Sequence, residues 1–290
     1  MTITFNKISI IGLGLIGTSI LHAIKVKEDQ KILTFAYDIN PEHRSIVSEM
    51  KIATYVCDGI KETVQEADLI ILAIPVGSMK SVANLIAPHL KPEATVTDTG
   101  STKLSVIRDV MSSIPINNYF IPSHPLAGTE YSGPRSGFSD LFENRYWLIV
   151  CDKETKQTKQ LALFFKKLGS IVETVNVDYH DRILAITSHL PHLIAYTIVG
   201  TASDLETDLK NDVIKFSASG FRDFTRIASS DPIMWRDIFV NNSEAVLEML
   251  QRFNEDLSDL QKAIRKKDGE KLHSFFSRTK SIREKIIDAG

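Results

Sequence analysis

A doubly wound parallel α/β domain over residues 1–177, followed by an all-helical domain over 178–290, is the fold class this 290-residue sequence predicts. Three observations point there. Short, continuously apolar runs alternate with segments of helical spacing through the first half, which is how strands buried on both faces of a parallel sheet read. A glycine-rich turn, "IIGLGLIGTSI", follows the first run directly and opens a helix. After Asp178 strand signals stop, and apolar residues recur at a period of about 3.6. The length suffices for two hydrophobic cores.

The strand runs are, in order, "ISIIG", "LTFAYD", "ADLIILAIP", "ATVTDTG" and "YFIPSHP". "YWLIVC" and "SIVETVNV" flank the helix-like "KETKQTKQLALFFKKLG", and should extend the same sheet to about Val177. Between them, Ile121–Gly137 is expected to lie outside regular structure: Pro122 and Pro125 bracket Ser123 and His124, and Gly128, Gly133 and Gly137 follow. "DYHDRILAITSHLPHLIAYTIVGTASDL" reads as one long buried helix kinked at Pro191, which has no N–H for the carbonyl of Thr187. "DPIMWRDIFVNNSEAVLEMLQRFNEDLSDLQKAIRKK" keeps helical spacing from Ile238 through Val246, Leu250, Phe253, Leu257 and Leu260. "GEKLHSFFSRTKSIREKII" adds a last amphipathic helix. Helices this long find few partners in so small a domain, so they are expected to pair across a homodimer.

Composition narrows the function. A net charge of −2 carries no basic field for nucleic acid, and 43% hydrophobic with 24% charged residues is ordinary for a globular protein. No stretch reaches roughly 18 uninterrupted apolar residues, and no small-residue cleavage site precedes the first strand, so neither a membrane span nor a signal peptide is expected. Cys57 and Cys151 read as separate buried thiols of a cytoplasmic protein.

Gly12, Gly14 and Gly17 form G-x-G-x-x-G between a strand and a helix, the Rossmann-type fingerprint. Gly12 serves the tight turn, Gly14 the approach of a pyrophosphate, and Gly17 helix–strand packing. Leu15 and Ile16 start the helix whose free N–H groups would face the phosphates. Asp38 stands 21 residues past Gly17, where an acid bonds a ribose 2′-hydroxyl and repels a 2′-phosphate, so NAD is favoured over NADP. The bland alternative for Asp38 is a cap on the helix from Pro41, and Arg44 leaves NADP use open. Pro75, in "AIPVGSM", is expected to wall the cofactor cleft.

"GLGLIG", "DTGSTK", "SHPLAGTEYSG", "SHLPH" and "GFRDFTRIASSDPIMWRDI" occur in that order from Ile8 to about Phe239. Together they resemble the prephenate/arogenate (cyclohexadienyl) dehydrogenases of tyrosine biosynthesis. The resemblance implies oxidative decarboxylation of a cyclohexadienol to 4-hydroxyphenylpyruvate or tyrosine, with CO2 and NADH. It assigns His124 as the catalytic base for the 4-hydroxyl proton, and Ser101 as the hydroxyl bonding both His124 and the substrate. Without the resemblance Ser101 reads as a helix N-cap. The resemblance puts Ser188 and His192 in the substrate pocket and Arg226 on the ring carboxylate, with Asp223 orienting Arg226 and Trp235 closing the wall. Substrate sites of this family borrow residues across a dimer. His189 reads as packing support; Lys103 faces either cofactor or solvent. Thr129 and Glu130 are expected near the substrate side chain, where a pocket-facing Glu130 would favour the ammonium of arogenate.

No metal is called for: H-x-x-H at His189 and His192 lacks a third ligand at suitable spacing, and no step needs a Lewis acid. Two rivals remain. A non-catalytic NAD-sensing dimer leaves His124, Ser101 and Arg226 unexplained together. A β-hydroxyacid dehydrogenase would carry a lysine on the first interdomain helix, and "TSHLPHLIAYTIVG" has none.

Overall fold

The computed structural model describes residues 5–27, 32–204, 215 and 218–288. Leu205, the last residue of the long helix expected from Asp178, lies outside them. One compact unit runs through Ser243 and a second from Glu244.

The first unit is built on a six-stranded parallel sheet: β1 (Lys7–Ile11), β2 (Leu33–Tyr37), β3 (Tyr55–Val56), β4 (Leu69–Leu72), β5 (Thr95–Asp98) and β6 (Tyr119–Ile121). Its order, β3-β2-β1-β4-β5-β6, is that of dinucleotide-binding sheets, with the topological switch between β1 and β4. Side chains alternate between faces. Ile8, Ile10, Leu69 and Ile71 join one core with Ile20, Leu21 and Ile24 of α1 (Leu15–Lys27), while Ile11, Ile70, Leu72 and Val96 join another. α2 (Pro41–Met50) and α3 (Ile60–Val64) follow β2 and β3, and the second core takes Met79, Ala83 and Ile86 of α4 (Met79–Ile86), a four-then-three spacing that keeps one helix face on the sheet. Each such fully buried Ile or Leu is worth roughly 1.5–3 kcal/mol.

Two expectations change here. The later strand runs do not extend the parallel sheet. β8 (Tyr146–Val150) and β9 (Ile171–Val175), joined through α6 (Lys156–Lys167), form a separate three-stranded sheet with β7 (Ser123–Pro125). So the stretch read as a loop contains a strand: His124 pairs with Leu148, antiparallel. The prolines permit it because β7 is an edge, bonded on one side only, where a missing N–H is tolerated. Trp147 locks this sheet from within, stacking on Phe165 at 3.8 Å and donating from Nε1 to Ser123 Oγ at 3.0 Å.

The helix after Asn176 is interrupted before Pro191 rather than at it. α7 (Val177–Leu184) passes through a π-helical turn, Ala185–His189, into α8 (Leu190–Ser203). The wider turn accommodates the missing Pro191 N–H one turn upstream. The stretch Val177–Ser203 is long and apolar enough to cross a membrane by length and composition, with mean hydropathy 1.4. It is not wholly buried, contrary to expectation: Tyr179, Ile186 and Val199 are exposed, whereas its polar His180, Asp181 and His189 are buried and hydrogen-bonded. The next predicted helix is also split, into Pro232–Asn241 and Ser243–Lys266. Asn242 breaks it because its amide turns inward to the Asp181 carbonyl (2.9 Å) and to His189 Nδ1 (3.1 Å).

In the second unit, Gly269–Asp288 follows Ser243–Lys266 after Lys267 takes a left-handed φ of 56°. Leu247, Leu257, Ile264, Phe276 and Ile282 are exposed along these helices. Cys57 is buried, Cys151 half-buried, and neither forms a disulfide.

Candidate active site

The carboxyl ends of β1, β4, β5 and β6 converge on one edge of the parallel sheet, and the glycine turn, Pro75, Ser101 and His124 all follow those ends. Gly12 adopts φ +97°, and a Cβ there would stand 2.2 Å from the Ala73 carbonyl oxygen. A Cβ on Gly17 would meet the Gly12 oxygen at 1.9 Å. Gly14 is different: a Cβ there meets nothing within 4 Å, so open space adjoins it where α1 begins with Leu15 and Ile16. An anion fits beside those helix N–H groups. Asp38 directly follows β2, and its Oδ2 accepts from Leu13 N at 2.7 Å, so the acid also holds the glycine turn. It does not cap the helix at Pro41; Asn40 does, accepting from Glu42 N at 2.9 Å. Arg44 is engaged by the Asp38 carbonyl (2.8 Å) and lies over the Tyr37 ring. Pro75 is exposed just past β4.

His124 is buried. Its Nδ1 lies 3.0 Å from His180 Nε2, and His180 Nδ1 lies 2.7 Å from Asp181 Oδ1. The Asp181 carboxylate also accepts the backbone N–H of Lys103 (2.7 Å) and Leu104 (2.9 Å), capping α5 (Leu104–Met111). The cap assigned to Ser101 is therefore supplied by a residue 80 positions later in sequence, because α7 packs across the α5 N-terminus. Among the described residues no hydrogen bond joins Ser101 to His124.

Lys103 faces neither solvent nor open cleft. It is fully buried, paired with Asp98, and its Nζ donates to the Ser123 carbonyl at 2.7 Å. Asp98 in turn accepts from Ser123 N (3.1 Å) and Gly100 N (2.8 Å). An ion pair thus ties the end of β5 to the residue before His124.

Burial lowers His124 well below the ordinary histidine value, and the charges of His180, Lys103 and His189 add to this. Burial also lowers His180, against the pull of Asp181. Asp181 sits low despite its burial, because His180 and the two backbone N–H groups stabilise the carboxylate. Both rings are neutral near pH 7 and the acid is ionised.

His192, Ser188 and Trp235 come together within one chain. His192 stacks on Trp235 at 3.7 Å, and its Nδ1 meets the Ser188 carbonyl at 2.8 Å, leaving Nε2 unengaged by protein among the described residues. Arg226 donates to Glu130 at 2.7 Å rather than to Asp223, which is exposed on the short helix Ser219–Thr225 that ends just before Arg226. Glu130 is the better partner because its loop brings the carboxylate in from a separate element. Thr129 turns into its own loop, its Oγ1 accepting from Tyr131 N at 3.3 Å. Sequence reading missed His180, Asp181 and Asp98. The one available signal was "HD" in the first turns of a helix, where an acid normally serves the helix itself.

Family models for the prephenate dehydrogenase nucleotide-binding domain and dimerization domain match residues 22–177 and 176–278. The chain belongs to the prephenate dehydrogenase family. This dehydrogenase is 38% identical to a cyclohexadienyl dehydrogenase of Zymomonas mobilis, over 96% of its own chain and 95% of the relative. It is 33% identical to a prephenate dehydrogenase of Lactococcus lactis, over 96% of its chain and 77% of the other. A solved prephenate dehydrogenase from A. aeolicus, in complex with hydroxyphenyl propionate and NAD+, superposes with a TM-score of 0.90 at 30% identity, covering 99% of this chain and all of that one.

Proposed function

We propose that this enzyme converts prephenate to 4-hydroxyphenylpyruvate and CO2 with reduction of NAD, and that His124 is its general base. The carrying observation is a buried, neutral imidazole at the carboxyl edge of a dinucleotide-binding sheet, in a chain of this family. Gly12, Gly14, Leu15, Ile16 and Gly17 hold the pyrophosphate, Asp38 the ribose, and Pro75 the facing wall. When bound, NAD supplies the acceptor for the hydride from C4. As that hydride leaves, the 4-hydroxyl proton passes to His124 and the C1–carboxylate bond breaks. The bond's electrons pass through the ring to the C4 oxygen as the ring becomes aromatic, CO2 departs, and that oxygen takes its proton back from His124, which restores both the phenol and the neutral base. Little electrophilic activation is needed, so the protein's work is orientation and proton acceptance.

Arg226 grips a substrate carboxylate, exchanging Glu130 for it; an exposed ion pair is worth only about 0–1 kcal/mol, so the exchange costs little. His192, Ser188, Trp235 and Thr129 line the pocket, with Asp223 at its rim and Ser101 beside the substrate hydroxyl. The dual-substrate alternative has support in the relative named cyclohexadienyl dehydrogenase. Residues 1–177 serve the cofactor, and 178–290 serve substrate and a homodimer. The matched dimerization model and the apolar residues exposed along the helices support that pairing. A cytoplasmic location accords with the biosynthetic relatives.

His124→Asn tests the reading: kcat with prephenate should fall at least a hundredfold, with the NAD dissociation constant within about twofold. A variant near the wild-type rate would remove His124 as base. Assaying prephenate and arogenate side by side decides the substrate.

A further inference from the structure

We propose that His180, held by Asp181, is a positioning residue that fixes His124 in the tautomer protonated on Nδ1 and so presents Nε2 as the proton acceptor. The inference rests on His124 being the base. Its logic is a chain of donors and acceptors. Asp181 is ionised and can only accept, so the 2.7 Å contact requires a proton on His180 Nδ1. A neutral His180 then has a lone pair on Nε2. Across the 3.0 Å contact, His124 must donate from Nδ1, which leaves Nε2 as its free lone pair. The opposite tautomer would set two lone pairs against each other at that distance inside a buried site.

The arrangement also prepares for the proton. Once His124 is an imidazolium, its Nδ1–H still points at His180 Nε2, and the bond becomes charge-assisted. The reverse polarity, a protonated His180 donating to His124, would put the remaining His124 proton on Nε2 and abolish the base. Burial of His180 opposes it, and so does Lys103, whose ammonium is buried in the same network. Asp181 cannot swing away to change partners, because Lys103 N and Leu104 N hold it at the α5 N-terminus.

The test compares His180→Leu with His180→Gln. Both remove the proton shared with Asp181, but the glutamine amide oxygen reaches toward the place of Nε2 and can accept from His124 Nδ1. The leucine variant should lose about 30-fold or more in kcat, with KM for prephenate and the NAD dissociation constant within about threefold; the glutamine variant should recover to within about fivefold of wild type. In parallel, 15N chemical shifts of the His124 ring in the resting enzyme read the tautomer directly. Wild type and His180→Gln should show a protonated Nδ1 and an unprotonated Nε2, and His180→Leu a mixture or the reverse. Equal kcat in the two variants overturns the proposal, as does a wild-type ring protonated on Nε2, which needs no variant to fold. The failure of the base itself would show elsewhere, in an active His124→Asn.

Discussion

His189 offers a stability test that can be worked through from the structure. The ring is fully buried, and its burial brings the value from 6.5 down to about 4, against the opposing pull of Asp181. Below pH 6.5 the unfolded chain binds a proton there and the folded chain does not. Stability from this group is therefore complete above 6.5 and is lost as pH falls toward 4. The full loss corresponds to about 3 kcal/mol, and about 1 kcal/mol of it falls between pH 7.5 and 5.5. His124 and His180 are shifted in the same direction, so the wild-type decline over that window should exceed about 1 kcal/mol. His189→Gln, measured by urea denaturation at fixed protomer concentration, should start less stable at pH 7.5, having lost packing against Trp235 and the bond to Asn242. Its decline to pH 5.5 should be shallower by about 1 kcal/mol. Parallel declines, with no difference between the two proteins, would mean that His189 takes up its proton in the folded state as it does in the unfolded chain and that its burial does not enforce neutrality.

Three further outcomes follow from named contacts. Lys103→Met leaves Asp98 as an uncompensated buried charge and should cost about 3–5 kcal/mol in chemical denaturation, more than Asp98→Asn and Lys103→Met together. Gly17→Ala should lower Tm sharply, since its Cβ would meet backbone at 1.9 Å; Gly14→Ala should leave Tm within a degree or two yet weaken NAD at least tenfold by calorimetry, since only the cofactor's space is filled. Arg226→Gln should raise the KM for prephenate roughly ten- to hundredfold with kcat changed less, and an unchanged KM would remove its carboxylate role.

The parallel domain was legible because its signals are local. A continuous apolar run such as "LIIL" at Leu69–Leu72 is buried throughout, and its two faces feed the two cores that double winding requires. Gly12 announced its own backbone demand. What local pattern did not carry was sheet membership. "YWLIVC" has the composition of a central parallel strand, yet β8 pairs with β7 and β9, and nothing within five residues says which sheet a buried strand will join. β3, two residues long, leaves no pattern to read.

The site divides along the same line. His124, Arg226 and the glycines were readable from motifs, but their partners are chosen by topology. Ser101 looked like a cap because serine before a helix normally is one; Asp181 replaced it because α7 delivers a carboxylate, which both fills the two N–H groups and favours the helix dipole. That substitution has a consequence for the chemistry. A serine cap would satisfy only the helix, whereas Asp181 satisfies the helix and orients His180 with the same two oxygens, so the fold of α5 and the polarity of the histidine pair are set by one residue. Lys103 extends the economy, joining Asp98 at the end of β5 to the backbone of Ser123 beside His124. The imidazole is therefore held from both neighbours, through its own ring by His180 and through its chain by Lys103. A constellation with this many long-range members has no signature in spacing, because its closest pair in sequence after His180–Asp181, Asp98 and Lys103, is explained equally well by an ordinary strand-to-helix turn.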